Sequence, residues 1–287
     1  MKLLVTGSAG LVGRALAQRL WAEGHEVRAF DLIDGNDILD RPALRSAMAG
    51  CEGVVHLAAV SRVVWGEDDP ERCWTTNVEG TRNVVELAAT SPQRPFVLFT
   101  SSREVYGEPV STPVAEDAPL RPLNVYARSK VAGEDLVGQL GERGAVVRLS
   151  GVYGDPADHA DRVVPAFVRG ALAGGTLRVE GSSRAFDFTH LSDVTLALRR
   201  LVGRLTAGAS VPVLHLVSGQ AVSLGELARL AIAIAGRGQT MEAPGRSYDV
   251  TRFLGDPARA EATLDWRVSV PLEDGMRTLA RAFSAAG

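Results

Sequence analysis

The chain opens with Lys2-Leu3-Leu4-Val5-Thr6-Gly7-Ser8-Ala9-Gly10-Leu11-Val12-Gly13, and this stretch decides the fold. Its first half is a short apolar run ending at glycine, the pattern of a parallel strand buried on both faces. Its second half leads into a helix over residues 10–23, where Leu11, Val12, Ala15, Leu16 and Leu20 recur at helical spacing and Gly24 stops the run. Gly7, Gly10 and Gly13 therefore lie where a dinucleotide loop requires glycine. The turn is tight, and backbone N–H groups can approach a pyrophosphate at the helix N-terminus. The spacing is G-x-x-G-x-x-G rather than G-x-G-x-x-G, so a glycine turn that serves only packing is the competing reading.

Asp31 weighs against that alternative. It ends the next strand, 18 residues after Gly13, close to the offset of roughly 20 residues for the acid that accepts from the adenine ribose. A carboxylate there repels a 2′-phosphate, which favours NAD over NADP, and Arg14 reads as a solvated helix position.

Strands predicted at 27–32, 53–59, 96–101 and 145–149 alternate with helices at 77–90 and 126–140. That alternation predicts an α/β fold, a Rossmann-type doubly wound parallel sheet covered on both faces. One interval breaks it. Only four residues separate Leu32 from Asp37-Ile38-Leu39, too few for the dozen or so of a parallel crossover. Either the third strand is short or vestigial, or Asp37-Ile38 is a loop beside the sheet; no helix fits between Leu32 and Asp37. Beyond Gly151 the alternation fades into helices at 165–173, 224–236, 255–264 and 272–283. The expected organisation is a cofactor domain over 1–150 and, over 151–287, a smaller substrate domain interwoven with it, some of its segments returning to the first core.

Composition narrows the function classes. The chain has 287 residues, 46% hydrophobic and 23% charged, with a formal net charge of −3. That is an ordinary globular balance, with no electrostatic footprint for nucleic acid or an anionic membrane. Cys51 and Cys73 form neither a metal-spaced cluster nor a disulfide framework, and the five histidines are scattered. No metal is expected. The apolar stretch 227–235 is interrupted by Arg229 and too short to span a bilayer. An N-terminus that passes at once into a strand leaves no room for a signal peptide, so a reduced cytoplasm is the expected setting.

The chemistry-bearing residues come later. In Tyr126-Ala127-Arg128-Ser129-Lys130 the phenol and the ammonium stand at i and i+4, on one helix face about 5–6 Å apart at Cβ. A lysine so placed can lower a phenol from its ordinary pKa of about 10. Ser101-Ser102 follows the strand at 96–101, at the carboxyl edge where open α/β sheets bind ligands. Taken singly, Ser101-Ser102 is a turn cap and Lys130 a solvated helix residue. Taken together with the glycine loop, they form an acid/base centre beside a nicotinamide site.

These pieces give the chain a resemblance to the extended short-chain dehydrogenase/reductases, and within them to NAD-dependent nucleotide-sugar epimerases and dehydratases. The matching segments include the glycine loop, Asp31, Asp37-Ile38, His56 to Ala59, Asn77 with Gly80-Thr81, Ser101-Ser102 with Val105-Tyr106-Gly107, Tyr126 to Lys130, Arg148 to Gly154, Asp187-Phe188, residues 246–249 and Leu264-Asp265-Trp266. The resemblance implies that Gly7, Gly10, Leu11 and Val12 line the pyrophosphate, Asp31 and Leu32 the ribose, and Asp37 and Ile38 the adenine. Leu57, Ala58 and Ala59 would pass under the cofactor with Asn77 as a brace. Ser102 and Tyr126 would meet the sugar hydroxyl, and Lys130 the nicotinamide ribose. Val164 would border the nucleotide base, and Arg246 would pair with a substrate phosphate. A homodimer through the helices at 77–90 and 126–140 is also implied; otherwise their apolar residues face only their own sheet.

Three departures set this chain apart. The Asp-Glu pair of the dehydratases is Arg103-Glu104 here, which keeps one catalytic carboxylate, Glu104. The Asn before Val-Tyr-Gly is Gly151, at a substrate-side position. The Arg before Asp-Phe is Phe186, leaving Arg184 or Arg62 to complete the diphosphate clamp. The expected activity is NAD-dependent epimerisation of a nucleotide-diphosphate sugar, most like UDP-glucose/galactose 4-epimerase. The alternatives are a decarboxylase or dehydratase using Glu104, a net sugar dehydrogenase, or a non-enzymatic NAD sensor.

Overall fold

The computed structural model describes residues 1–246 and 250–285. Its strands are β1 (Lys2–Thr6), β2 (Glu26–Phe30), β3 (Gly53–His56), β4 (Phe96–Ser102), β5 (Gly144–Leu149), β6 (Gly151–Tyr153), β7 (Thr176–Glu180), β8 (Ala185–His190), β9 (Leu214–Leu216), β10 (Ala221–Ser223), β11 (Gln239–Ala243) and β12 (Arg252–Phe253). The α-helices are α1 (Leu11–Ala22), α2 (Arg41–Met48), α3 (Val63–Asp68), α4 (Pro70–Trp74), α5 (Gly80–Thr90), α6 (Val125–Gly138), α7 (Val163–Leu172), α8 (Leu191–Thr206), α9 (Leu224–Ala235), α10 (Ala258–Leu264) and α11 (Leu272–Ala285).

β2, β1, β3, β4, β5 and β9 form one sheet in that order, every neighbouring pair parallel. Helices cover both faces, so the inner strands are apolar throughout; all seven residues of β4 are buried. One face packs Leu16, Leu20, Leu198, Leu201 and Trp266 against Leu3, Val5 and Val147. The other packs Leu44, Val84, Val85, Leu136 and Val137 against Leu4, Val54 and Phe99. A third core holds Val105 and Tyr106 together with Phe167, Phe186, Phe188, Leu227 and Phe253, around the smaller sheet in which β8 pairs with β6, β10 and β12.

The interval after Asp31 resolves in favour of the loop. β2 ends at Phe30, Leu32–Asp34 form a 3-10 turn, and Asp37-Ile38 lie in a loop with Ile38 buried. The chain then enters α2, capped by the Asp40 carboxylate accepting from Ala43 N, and crosses to β3 on the far side of β1. β2 is left at the sheet edge. The strand expected at 53–59 stops at His56, because Leu57 and Ala58 turn toward β1 and donate their N–H groups to the Thr6 carbonyl and Thr6 Oγ1. The alternation also resumes late in the chain. α8 buries Val194, Leu198, Leu201 and Leu205, lies against α1, and leads into β9, which adds to the large sheet beside β5. Residues 247–249, part of a segment that carried the resemblance, lie outside the described residues.

Candidate active site

The glycine loop is built by close approach. Gly7 has φ +70°, and a Cβ there would fall 2.5 Å from Ala58 N. A Cβ on Gly13 would fall 2.1 Å from the Gly7 carbonyl oxygen. The loop is thus pressed against its own helix and against the segment after β3, and neither position has room for a side chain. Gly10 caps α1 with no side-chain hydrogen bond, leaving the first N–H groups, those of Leu11 and Val12 included, directed out of the helix end. Ser8 Oγ is buried without a partner among the described residues. A cradle of this shape, with donors and no carboxylate in it, fits a dinucleotide pyrophosphate.

Asp31 stands beside it. One carboxylate oxygen accepts from Ala9 N at 2.9 Å and the other from Ile33 N at 3.0 Å, which ties the loop to the turn after β2. Each oxygen keeps a lone pair for a ribose hydroxyl. Leu32 is exposed next to it. Arg14 is committed elsewhere, to Asp155 at 3.0 Å. Asp37 holds its own turn by accepting from Leu39 N, and the Ile38 carbonyl accepts from Asn83. Gly80 makes room for the Ile38 side chain, which a Cβ would meet at 2.3 Å.

A buried polar chain runs from this loop toward the helix that carries Tyr126 and Lys130. Thr81 Oγ1 donates to the Asn77 carbonyl, so it accepts from His56 Nε2; His56 Nδ1 then accepts from Thr6 Oγ1. Burial, helped by Lys130, lowers the imidazole to about 3, so it is neutral with its proton on Nε2. Asn77 closes the chain. Its amide bridges Val60 N and the Val60 carbonyl, and donates to Ser129 Oγ at 2.8 Å. The segment Leu57, Ala58, Ala59 is thereby fixed relative to α6.

α6 presents Tyr126 and Lys130. Its N-terminus is capped by Asn124, which accepts from Ala127 N, and by Glu67, which accepts from Val125 N. Ser102 is a polar neighbour of the Tyr126 phenol, and Ser102 Oγ accepts from Glu104 N at 3.2 Å. Lys130 donates to the Thr100 carbonyl at 2.9 Å, with its ammonium 5.9 Å from the centroid of the Tyr126 ring. The expected effect of Lys130 on the phenol is not what the structure gives. Burial pushes Tyr126 up to about 12; neighbouring Ser102 opposes this, the Glu104 carboxylate adds to it, and the cation that pulls the phenol down is Arg162. Lys130 is itself lowered to about 8 by burial.

Glu104 is buried beside this pair. Its Oε1 meets Arg103 Nη2 at 3.1 Å and its Oε2 accepts from Asn124 at 3.3 Å. The Arg103 guanidinium lies 4.1 Å over the Phe186 ring, a contact worth about 0.5–2 kcal/mol. The 3-10 turn Arg103–Tyr106 that carries both residues is anchored at its far end. Tyr106 pairs with His215 and with Arg148, and Arg148 makes a two-pronged ion pair to Glu134 on α6, at 2.6 and 2.9 Å.

The structure therefore brings together Ser102, Glu104, Tyr126 and Lys130, and separately Gly7, Gly10, Asp31, Ala58 and Asn77. The substrate-side expectations fare differently. Gly151 is a packing position: it pairs with Phe188 across β6 and β8, and a Cβ would meet the Phe188 ring at 2.7 Å. Val164 is 2% exposed inside the third core, so its side chain offers no face to a base. Arg184 and Arg246 lie together, Arg184 donating to the Arg246 carbonyl at 2.6 Å and Arg246 facing Glu180. Arg62 is paired with Asp161. Asn124 and Arg162 are the additions sequence reasoning did not place, and the contact of Arg103 with Phe186 is a third. Asn124 carried a local signal as an N-cap residue just before the helix. For the two arginines no local pattern tells where the guanidinium goes. Among the described residues no group of three or more His, Cys, Asp or Glu could share a metal ion, and no helix is long and apolar enough to cross a membrane.

The model of the NAD-dependent epimerase/dehydratase family matches residues 3–214. UDP-glucose 4-epimerase of Mycolicibacterium smegmatis is 31% identical, over 96% of each chain. UDP-glucuronic acid decarboxylase 1 of Danio rerio is 28% identical, over 99% of this chain and 72% of its own. Among solved structures, MoeE5 in complex with UDP-glucose and NAD superposes with a TM-score of 0.89 at 28% identity, over 100% of this chain and 99% of that one.

Proposed function

We propose that this chain, which belongs to the NAD-dependent epimerase/dehydratase family, is a 4-epimerase of a UDP-sugar. The observation that carries the proposal is the placement of Tyr126 and Lys130 beside Ser102 at the carboxyl edge of β4, on the sheet whose β1 feeds the glycine cradle. NAD, when bound, would accept a hydride from the sugar and return it. Gly7, Gly10, Leu11 and Val12 would hold its pyrophosphate, Asp31 and Leu32 its adenine ribose, and the loop Asp37-Ile38 its adenine. Leu57, Ala58 and Ala59 would lie along it, kept in place by Asn77.

In this reading Ser102 donates to the sugar oxygen and orients it, and Tyr126 takes the hydroxyl proton and later gives it back. A phenol at about 12 is almost wholly protonated near neutral pH and must be lowered to act as a base. Arg162 is the neighbouring cation that lowers it, and the positive nicotinamide ring would add a second. Lys130, held at Thr100, would also bind the nicotinamide ribose.

The occupancy of Glu104 favours epimerisation over dehydration. A carboxylate paired with Arg103 and accepting from Asn124 is held as an acceptor, whereas water loss needs a proton donor at the leaving hydroxyl. The decarboxylase reading draws support from the same residue, a buried carboxylate next to Tyr126, and from the likeness to a UDP-glucuronic acid decarboxylase. Incubating the purified protein with UDP-galactose and no reductant separates them: interconversion with UDP-glucose at constant mass is expected. No interconversion with NAD bound, over several nucleotide sugars, overturns the proposal.

The proposal includes a homodimer through α5 and α6. Their apolar residues Val84, Leu87, Leu136 and Val137 are buried in the protomer's own core. The exposed side chains on these helices are polar or small, Glu86, Ala89, Arg128 and Asp135 among them. Association there would be close-packed and polar-rimmed, and light scattering tests it.

A further inference from the structure

Two of the three departures from the family pattern touch each other. Where relatives carry an acid after the active-site serine this chain has Arg103, and where they carry an arginine before Asp187-Phe188 it has Phe186. The Arg103 guanidinium lies over the Phe186 ring, 4.1 Å from its centroid. The cation has not been lost from the substrate side; it comes from the turn after β4 instead of from β8.

We propose that Arg103 holds an oxyanion of the substrate at the sugar end of the site and is the residue that sets specificity for it. The inference rests on the nucleotide-sugar reading above. Three features carry it. The guanidinium is held on two sides, by Glu104 Oε1 at 3.1 Å from Nη2 and by the Phe186 face. Its Nη1 is buried and has no acceptor among the described residues. A planar fork fixed in this way presents a donor edge for a carboxylate or phosphate, which a freely rotating lysine would not.

A nucleotide sugar offers two such oxyanions, the diphosphate and a carboxylate on the sugar. The neighbours of Arg103 place it near the reacting carbon. Ser102, a neighbour of Tyr126, precedes it, and Glu104, its ion-pair partner, accepts from Asn124 at the N-terminus of the helix that carries Tyr126. The geometry therefore favours a sugar carboxylate, so that a UDP-uronate would be preferred to a UDP-hexose.

The test is calorimetric binding of UDP, UDP-glucose and UDP-glucuronate to the full chain loaded with NAD, in wild type, Arg103→Gln and Arg103→Lys. Loss of a charge-assisted pair weakens binding by roughly 10- to 100-fold. Such a loss for UDP-glucuronate, with UDP and UDP-glucose little changed, assigns Arg103 to the sugar carboxylate. An equal loss for all three assigns it to the diphosphate. Arg103→Lys keeps a cation for Glu104 and so protects the fold; an intermediate loss is expected. A purely structural role would lower the melting temperature of the unliganded variants and leave the order of the three affinities as in wild type. Unchanged affinities for all three ligands in Arg103→Gln overturn the inference. Failure of wild type to bind any of them overturns the nucleotide-sugar reading together with it.

Discussion

Arg103 and Phe186 stack at 4.1 Å although 83 positions separate them in the chain (186 − 103). Phe186 is the platform that keeps the guanidinium over the site while Glu104 holds one of its nitrogens. Phe186→Ala should let Arg103 swing away. The expected result is a KM for the nucleotide sugar raised by about 3- to 30-fold, the equivalent of a cation–π contact, with a smaller change in kcat. Steady-state kinetics check the split.

Tyr126→Phe removes the proton acceptor but keeps the ring. The turnover rate should fall by about 10²- to 10⁴-fold, the usual worth of a positioned acid/base, with NAD content after purification unchanged. A variant that retains wild-type turnover would remove Tyr126 from the reaction and revive the sensor reading.

Gly13→Ala tests the cradle. The added methyl carbon would lie 2.1 Å from the Gly7 carbonyl oxygen, so either the loop or the start of α1 must shift. The NAD retained through purification should fall, with Kd raised at least about tenfold, the equivalent of about 1.4 kcal/mol. Fluorescence titration of added NADH gives the number.

The pH dependence of stability should carry the signature of His56. Its folded pKa, about 3, is below the ordinary value of 6.5. Between these values the unfolded chain binds more protons than the folded one, so stability rises with pH across that window and is lost as pH falls through it. By pH 4 the loss from this group is of order 3 kcal/mol. Chemical denaturation at pH 7 and pH 4 should show a smaller drop for His56→Asn, whose side chain does not titrate; equal drops would contradict a neutral buried imidazole.

Much of this architecture was legible because it is local. The strand, glycine turn and helix of residues 2–22, and the i, i+4 spacing of Tyr126 and Lys130, are properties of adjacent residues, and the parallel sheet follows from their alternation. α8 went unread although Leu191, Val194, Leu198, Leu201 and Leu205 stand at helical spacing, since its N-cap is His190 rather than a strong capping residue. α2 buries only Leu44 and Met48 and leaves too short a pattern to read. The rest is tertiary. The Tyr126 phenol is raised by burial, which no spacing reports, and the placement of Arg162 beside it depends on where α7 begins. Gly151 and Val164 were assigned to the substrate by likeness; their neighbours, Phe188 and the third core, come from other parts of the chain.

In the proposed epimerisation the hydride leaves and returns to the same sugar carbon. The most direct measurement is incubation of the NAD-loaded protein with UDP-galactose deuterated at C4, without reductant, followed by NMR and mass spectrometry. The account predicts UDP-glucose that keeps its deuterium at C4 and its full mass. Loss of the mass of water or carbon dioxide, or deuterium released in free NADH, would contradict it.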